Sequence, residues 1–132
     1  MEKELQKILY AEDDLDIQTI TIMALESFGN FTLKQCNNGK QALDCIDEFE
    51  PDIVVTDIMM PEMDGITLLQ NLRNNPKYKD IPVIFTTAKA QAHEIEYYSK
   101  LGVTKIISKP FNLVTLADEL REIWRAYTTK SL

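Results

Sequence analysis

Five short apolar runs rich in β-branched residues, separated by longer stretches of helical spacing, constrain this chain more than any other feature. The runs cover 8–11, 31–36, 53–56, 83–86 and 103–107. Each is too short for a helix, and all but the second have the near-continuous apolar pattern of a strand buried on both faces. Between them, apolar residues recur three or four positions apart: Ile17, Ile20, Ala24 and Phe28; Ala42, Ile46 and Phe49; Leu69 and Leu72. The longest stripe, Leu113, Leu116, Ala117, Leu120, Ile123, Trp124 and Tyr127, marks a C-terminal helix. A further helix, with the faintest pattern, is expected over about 90–101. Gly29 and Gly102 stand where helices should stop, and Pro51, Pro76 and Pro82 stand in or beside connections. Alternation of this kind predicts an α/β fold: a doubly wound, five-stranded parallel sheet with helices on both faces, joined by right-handed crossovers.

The 132 residues suit a single domain over 1–132, with a core over about 7–127 and no repeat or linker-like segment. A chain of this size buries roughly two thirds of the surface its unfolded form exposes, so it needs no staples. Its two cysteines, Cys36 and Cys45, lack CxxC spacing, and His93 is the single histidine. That inventory assembles no zinc site, and both thiols are expected to be reduced. His93 reads as a surface residue. Fourteen basic against 21 acidic residues leave a net charge of −7, which argues against free-standing affinity for nucleic acid or anionic lipid. No apolar run approaches the roughly 18 residues of a membrane helix, and MEKELQK lacks the apolar core of a signal peptide. The expectation is a cytoplasmic protein.

Chemistry collects at the ends of the runs. The first ends in Glu12-Asp13-Asp14, the third in Asp57, the fourth in Thr86-Thr87, and the fifth in Lys109. Open α/β sheets place their ligand sites at such carboxyl ends. If the first and third strands flank the point where the strand order reverses, their carboxylates converge. Two like charges about 4 Å apart at an effective dielectric near 20 repel by roughly 4 kcal/mol. The cluster therefore calls for a cation or raised pKa values. An all-oxygen donor set suits Mg²⁺ better than a softer metal. With Lys109 as a point charge and Thr87 as a hydroxyl donor, the parts suffice for phosphoryl transfer to Asp57. Taken singly, each residue has an ordinary reading: an acidic helix start, a cap, a β-branched strand residue or a surface lysine. Their coincidence at one sheet edge favours the chemical reading.

The segments ILYAEDD, DIVVTDIMMPEMDG, VIFTTA and KIISKPF resemble the receiver domain of two-component response regulators, over about residues 7–127. The resemblance implies the flavodoxin-like strand order 2-1-3-4-5. It makes Asp57 the phosphoacceptor, Asp13 a direct Mg²⁺ ligand and Glu12, where an Asp is commoner, a ligand acting through water. The backbone carbonyl of Met59 becomes the third protein ligand. Thr87 matches the hydroxyl residue, with Thr86 as its rival and Ala88 favouring Thr87. Lys109 matches the lysine that contacts the phosphoryl group, and its bond to Pro110 is expected to be cis. Ile106 stands where relatives often carry a switching aromatic; it is stiff at χ1 and lacks the ring's area. Met59 and Lys89 hold the two variable places that tune phosphoryl lifetime, and the apolar Met59 predicts slow self-dephosphorylation.

The same resemblance implies a sensor histidine kinase or histidine phosphotransfer protein as donor. It implies a downstream protein or output domain that reads the face of the fourth helix, fifth strand and fifth helix. A phosphorylation-dependent homodimer is a further expectation. Tyr97, Tyr98 and Trp124 lie near it by sequence, although Trp124 and Tyr127 are expected in the core. The expected role is a switch and not an enzyme, with at most slow self-phosphorylation from small donors. A Mg²⁺-dependent phosphatase of the haloacid dehalogenase type would need an Asp where Met59 stands. A degenerate, unphosphorylated scaffold would usually have lost the acceptor, an acidic ligand or the lysine, and all three are here. No output domain follows residue 132, so a stand-alone receiver or a piece of a larger regulator is expected.

Overall fold

The computed structural model describes residues 4–88 and 91–130. Its elements alternate as the sequence predicts: β1 (Lys7–Ala11), α1 (Leu15–Gly29), β2 (Thr32–Cys36), α2 (Gly39–Phe49), β3 (Ile53–Asp57), α3 (Gly65–Arg73), β4 (Val83–Thr87), α4 (Ala92–Lys100), β5 (Lys105–Ser108) and α5 (Leu116–Lys130). All pairings are parallel and the strand order is β2-β1-β3-β4-β5. This is the doubly wound α/β fold in the flavodoxin-like order.

Two apolar layers cover the sheet, because successive side chains along a strand point to opposite faces. Ile8, Tyr10, Ile53, Val55 and Ile84 face Leu25 of α1 and Leu120 and Trp124 of α5. Leu9, Val54, Val83 and Phe85 face Ile46 of α2 and Leu68, Leu69 and Leu72 of α3. Tyr98 of α4 packs against that second layer, edge-on to Phe85 at 5.4 Å between ring centres. Among the described residues no helix is long and apolar enough to cross a membrane.

Three helices begin at the carboxyl edge of the sheet because a side chain satisfies their first amides. Asp14 accepts from the amides of Asp16 and Ile17, Asn38 from that of Gln41, and Asp64 from that of Thr67. The β3–α3 loop closes tightly: Gly65 N donates to the Ile58 carbonyl at 2.8 Å, and a Cβ at Gly65 would overlap the Asp57 carbonyl oxygen.

Three sequence expectations need correction. The first concerns α1, whose predicted stripe included Ile20 and Phe28. Both are about half exposed, and the buried face carries Gln18, Thr21, Ala24 and Leu25 instead. The helix is rotated so that Leu25 fills the layer while Thr21 and Gln18 meet polar partners on the sheet side. The second is β5, expected to be buried on both faces, which is an edge strand whose ends are exposed and whose middle is half-buried. It starts at Lys105 because Val103 N donates to the Tyr98 carbonyl and so completes the end of α4. The third is the fifth helix, which begins at Leu116. Leu113 lies in a turn where Asn112 Oδ1 accepts from the amides of Val114 and Thr115. Trp124 is buried as expected, Tyr127 is half-buried and stacks on it, and His93 is exposed.

Candidate functional site

β1, β3, β4 and β5 end side by side, and each delivers one part of a polar pocket. Glu12 and Asp13 follow β1, Asp57 closes β3, Thr87 closes β4 and Lys109 follows β5. One ligand atom from each of Glu12, Asp13 and Asp57 lies within 4.8 Å of the other two. Glu12 is buried, Asp57 is half-buried and Asp13 is open to solvent. The cluster therefore has a dry floor and a wet mouth.

The Lys109 ammonium spans this cluster, 2.7 Å from Glu12 Oε1 and 3.1 Å from Asp57 Oδ2. The Lys109 amide donates to the Thr87 carbonyl at 2.7 Å, which fixes where the lysine leaves the chain. The Lys109–Pro110 bond is cis. Asp57 Oδ1 accepts from the amide of Ile58 at 2.7 Å, and Glu12 Oε2 accepts from that of Asp14 at 3.2 Å. Burial pushes the Glu12 carboxyl up to about 7, and the Asp57 charge adds to that; hydrogen bonds from Lys109 and the Asp14 amide oppose it. Burial also works to lower the Lys109 pKa, but its bonds to Glu12 and Asp57 outweigh burial and raise it.

Oxygen donors from three carboxylates, one exposed to water, form a set that suits a small hard dication. The Lys109 ammonium, in contact with Glu12 and Asp57, adds a positive charge at the same pocket. Comparison with known proteins places this arrangement in a family. The family model for the response regulator receiver domain matches residues 8–121. The chemotaxis protein CheY-3 of Vibrio cholerae is 35% identical over 118 residues, covering 89% of this chain and 91% of that protein. The chain belongs to the response regulator receiver domains.

A further curated relative of this receiver is the CheY homologue of Campylobacter jejuni, 30% identical over 118 residues and covering 89% of this chain and 91% of that one. Among solved structures, the signal receiver domain of a Syntrophus aciditrophicus signal transduction histidine kinase superposes with a TM-score of 0.81. It is 28% identical and covers 92% of this chain and 91% of that one. A response regulator structure from Chloroflexus aurantiacus, 23% identical with a TM-score of 0.84, matches in fold. Receiver domains are signalling switches, and this one is a CheY-like receiver of two-component signalling.

The structure brings Glu12, Asp13, Asp57 and Lys109 together. Thr87 is half-buried beside them, whereas its rival Thr86, the register partner of Asp57, is fully buried. Met59, two residues after Asp57, is 76% exposed. Ile106 is half-buried on β5, and Lys89 lies outside the described residues. Sequence reading missed Gln18 and Asn38. Both are buried polar residues that tie the site's loops together. Their only trace in the sequence is polarity at a helix start and on a sheet-facing stripe, which amphipathic patterning scores as solvent.

Proposed function

We propose that this receiver, a single domain over residues 1–132, accepts one phosphoryl group on Asp57 and passes the change to its α4–β5–α5 face. The observation that carries this reading is the Lys109 ammonium seated between Glu12 and Asp57, beside a triad of carboxylates able to share a dication.

The donor is the phosphohistidine of a sensor histidine kinase or of a histidine phosphotransfer protein. A carboxylate oxygen of Asp57 forms a bond to phosphorus as the phosphorus–nitrogen bond breaks. The electron pair stays on the imidazole nitrogen, which takes a proton. Lys109 offsets charge on the transferring oxygens, and Thr87 offers them a hydroxyl hydrogen. Glu12, Asp13, Asp57 and the Met59 carbonyl are the residues that would hold Mg²⁺, with Glu12 acting through water. Mg²⁺, when bound, supplies positive charge beside the acceptor. The Ile58 amide holds Asp57 Oδ1, and Lys109 holds Asp57 Oδ2 at 3.1 Å, so both oxygens of the acceptor are oriented.

Acyl phosphate formation draws Thr87 towards the new oxygens and shifts the balance between two conformations of the neighbouring edge. A downstream protein, an output domain or a second copy of the receiver then binds that face with altered affinity. With Ile106 on β5, switching proceeds without an aromatic ring at that place. The apolar Met59, with Lys89, gives a long-lived phosphoryl group. The setting is the cytoplasm.

The test is incubation with acetyl phosphate and Mg²⁺, read by intact-protein mass spectrometry. Expected is the slow, stable gain of one phosphoryl group, abolished in Asp57→Asn. Continuous phosphate release would point to a phosphatase, and no reaction to a scaffold; either outcome overturns the reading. A half-life of seconds after donor removal would overturn the slow-dephosphorylation part alone.

A further inference from the structure

Gln18 is buried on α1, 7% exposed, and among the described residues its side-chain amide bonds to no carboxylate group. Its side-chain amide donates to the Glu12 carbonyl oxygen, and also to Asn37 Oδ1 at 2.9 Å in the β2–α2 loop. A peptide unit is planar, so the carbonyl of Glu12 and the nitrogen of Asp13 turn as one body. Pinning that carbonyl fixes the direction in which both Glu12 and Asp13 project their side chains. The other donor to the same oxygen, Gln35 Nε2, is longer at 3.3 Å and makes its closer bond to the Cys36 carbonyl at 2.6 Å.

Asn37 is itself held. Its amide donates to Gln41 Oε1 at 2.8 Å in the first turn of α2. The next residue, Asn38, caps that helix and reaches Glu62 Oε2 at 3.5 Å, while Gly39 N donates to the Met63 carbonyl at 2.9 Å. A line of bonds thus runs from the β1–α1 loop, through Gln18 and the β2–α2 loop, to the β3–α3 loop that contains Met59. The β1–α1 and β3–α3 segments, which are proposed to supply cation ligands, are thus tied through the β2–α2 loop, which supplies none.

We infer that Gln18 is a positioning residue for the cation site: it orients the Glu12–Asp13 peptide and so sets the affinity of the pocket for Mg²⁺. The inference rests on the reading of that pocket as a Mg²⁺ site. Outer partners that orient ligands typically change metal affinity by about 10- to 100-fold when removed.

Calorimetric titration of Mg²⁺ into Gln18→Met tests it. The substitution keeps length and volume but removes both donors. The expected result is a Kd about tenfold above wild type, at a temperature where melting in EDTA shows the variant fully folded. A role confined to stability would lower the melting temperature and leave Kd unchanged, and that outcome overturns the inference. Should Gln18→Met not fold, Gln18→Asn carries the test: it keeps an amide but is one methylene too short to span both partners. A rise of the same order is expected, and a folded Gln18→Asn with the wild-type Kd overturns the inference. Failure of wild type itself to bind Mg²⁺ is a separate result that removes the underlying reading.

Discussion

The centre of the sheet and its β5 edge are built to different standards. In β1, β3 and β4, Ile8, Leu9, Tyr10, Ile53, Val54, Ile84 and Phe85 are all sealed from solvent, and helices flank them on both faces. The edge formed by α4 and β5 has no fully buried residue in either element. The α4 helix also begins at Gln91 without the side-chain cap that starts α1, α2 and α3. Local unfolding free energies follow apolar burial, so the edge should open far more readily than the centre. The proposed acceptor Asp57 and the proposed ligands Glu12 and Asp13 stand at the ends of the sealed strands, and Lys109 follows the edge strand. Under the proposed function, a chemical change at Asp57 would bias the edge and leave the scaffold that holds the site undisturbed.

Truncation should expose this contrast most strongly. Ile8→Ala, in the sealed centre, is expected to cost about 2–5 kcal/mol in chemical denaturation. Ile95→Ala, on the exposed side of α4, should stay within about 0.5 kcal/mol. Equal losses at the two positions would abolish the distinction. Hydrogen exchange reads the same contrast without mutation: amides of α4 and β5 should exchange through openings of lower free energy than those of β1, β3 and β4.

The centre also carries a charge penalty, at Glu12. Below about pH 4.5 Glu12 is neutral in the folded and unfolded chain alike. Between 4.5 and about 7 the unfolded chain has released a proton that the folded chain keeps, so stability falls as pH rises across that window. Metal-free wild type in EDTA should therefore lose melting temperature from pH 5 to pH 7.5 relative to Glu12→Gln, in which this contribution is absent. Parallel curves for the two proteins would show that Glu12 ionises normally in its pocket.

How much of this was legible depends on what periodicity records. Each strand of the centre announced itself as a β-branched run, because burial on both faces leaves no room for polar residues. Asp57 and Glu12 stood out because carboxylates at the ends of such runs are conspicuous. The rotation of α1 was hidden: Ile20 and Phe28 scored as core, while Gln18 and Thr21 are the residues turned inward. Thr21 is inside because its hydroxyl accepts from Tyr10 Oη at 3.2 Å, and Gln18 because it holds the Glu12 carbonyl. Buried hydrogen bonds of this kind pair residues distant in sequence, so no local pattern marks them. The half-buried character of β5 was likewise invisible, since an edge strand differs from a central one only by a missing neighbour.

The smallest expected effect concerns the two threonines that the sequence left as rivals. Thr86 sits in the sealed centre, and among the described residues its Oγ1 has no hydrogen-bond partner. A buried hydroxyl without a partner costs about 1–3 kcal/mol of desolvation. Thr86→Val removes the hydroxyl and keeps the β-branched shape, so it should raise stability by up to about 1 kcal/mol and leave phosphorylation by acetyl phosphate at the wild-type rate. Thr87→Val, at the open end of the strand, should leave stability nearly unchanged. Its effect should appear in the function: phosphorylated and unphosphorylated forms of the variant should differ less in α4 and β5 hydrogen exchange than those of wild type. The opposite pattern, with Thr86→Val blunting the response and Thr87→Val leaving it intact, would move the switching hydroxyl into the rigid centre and erase the division of labour between centre and edge.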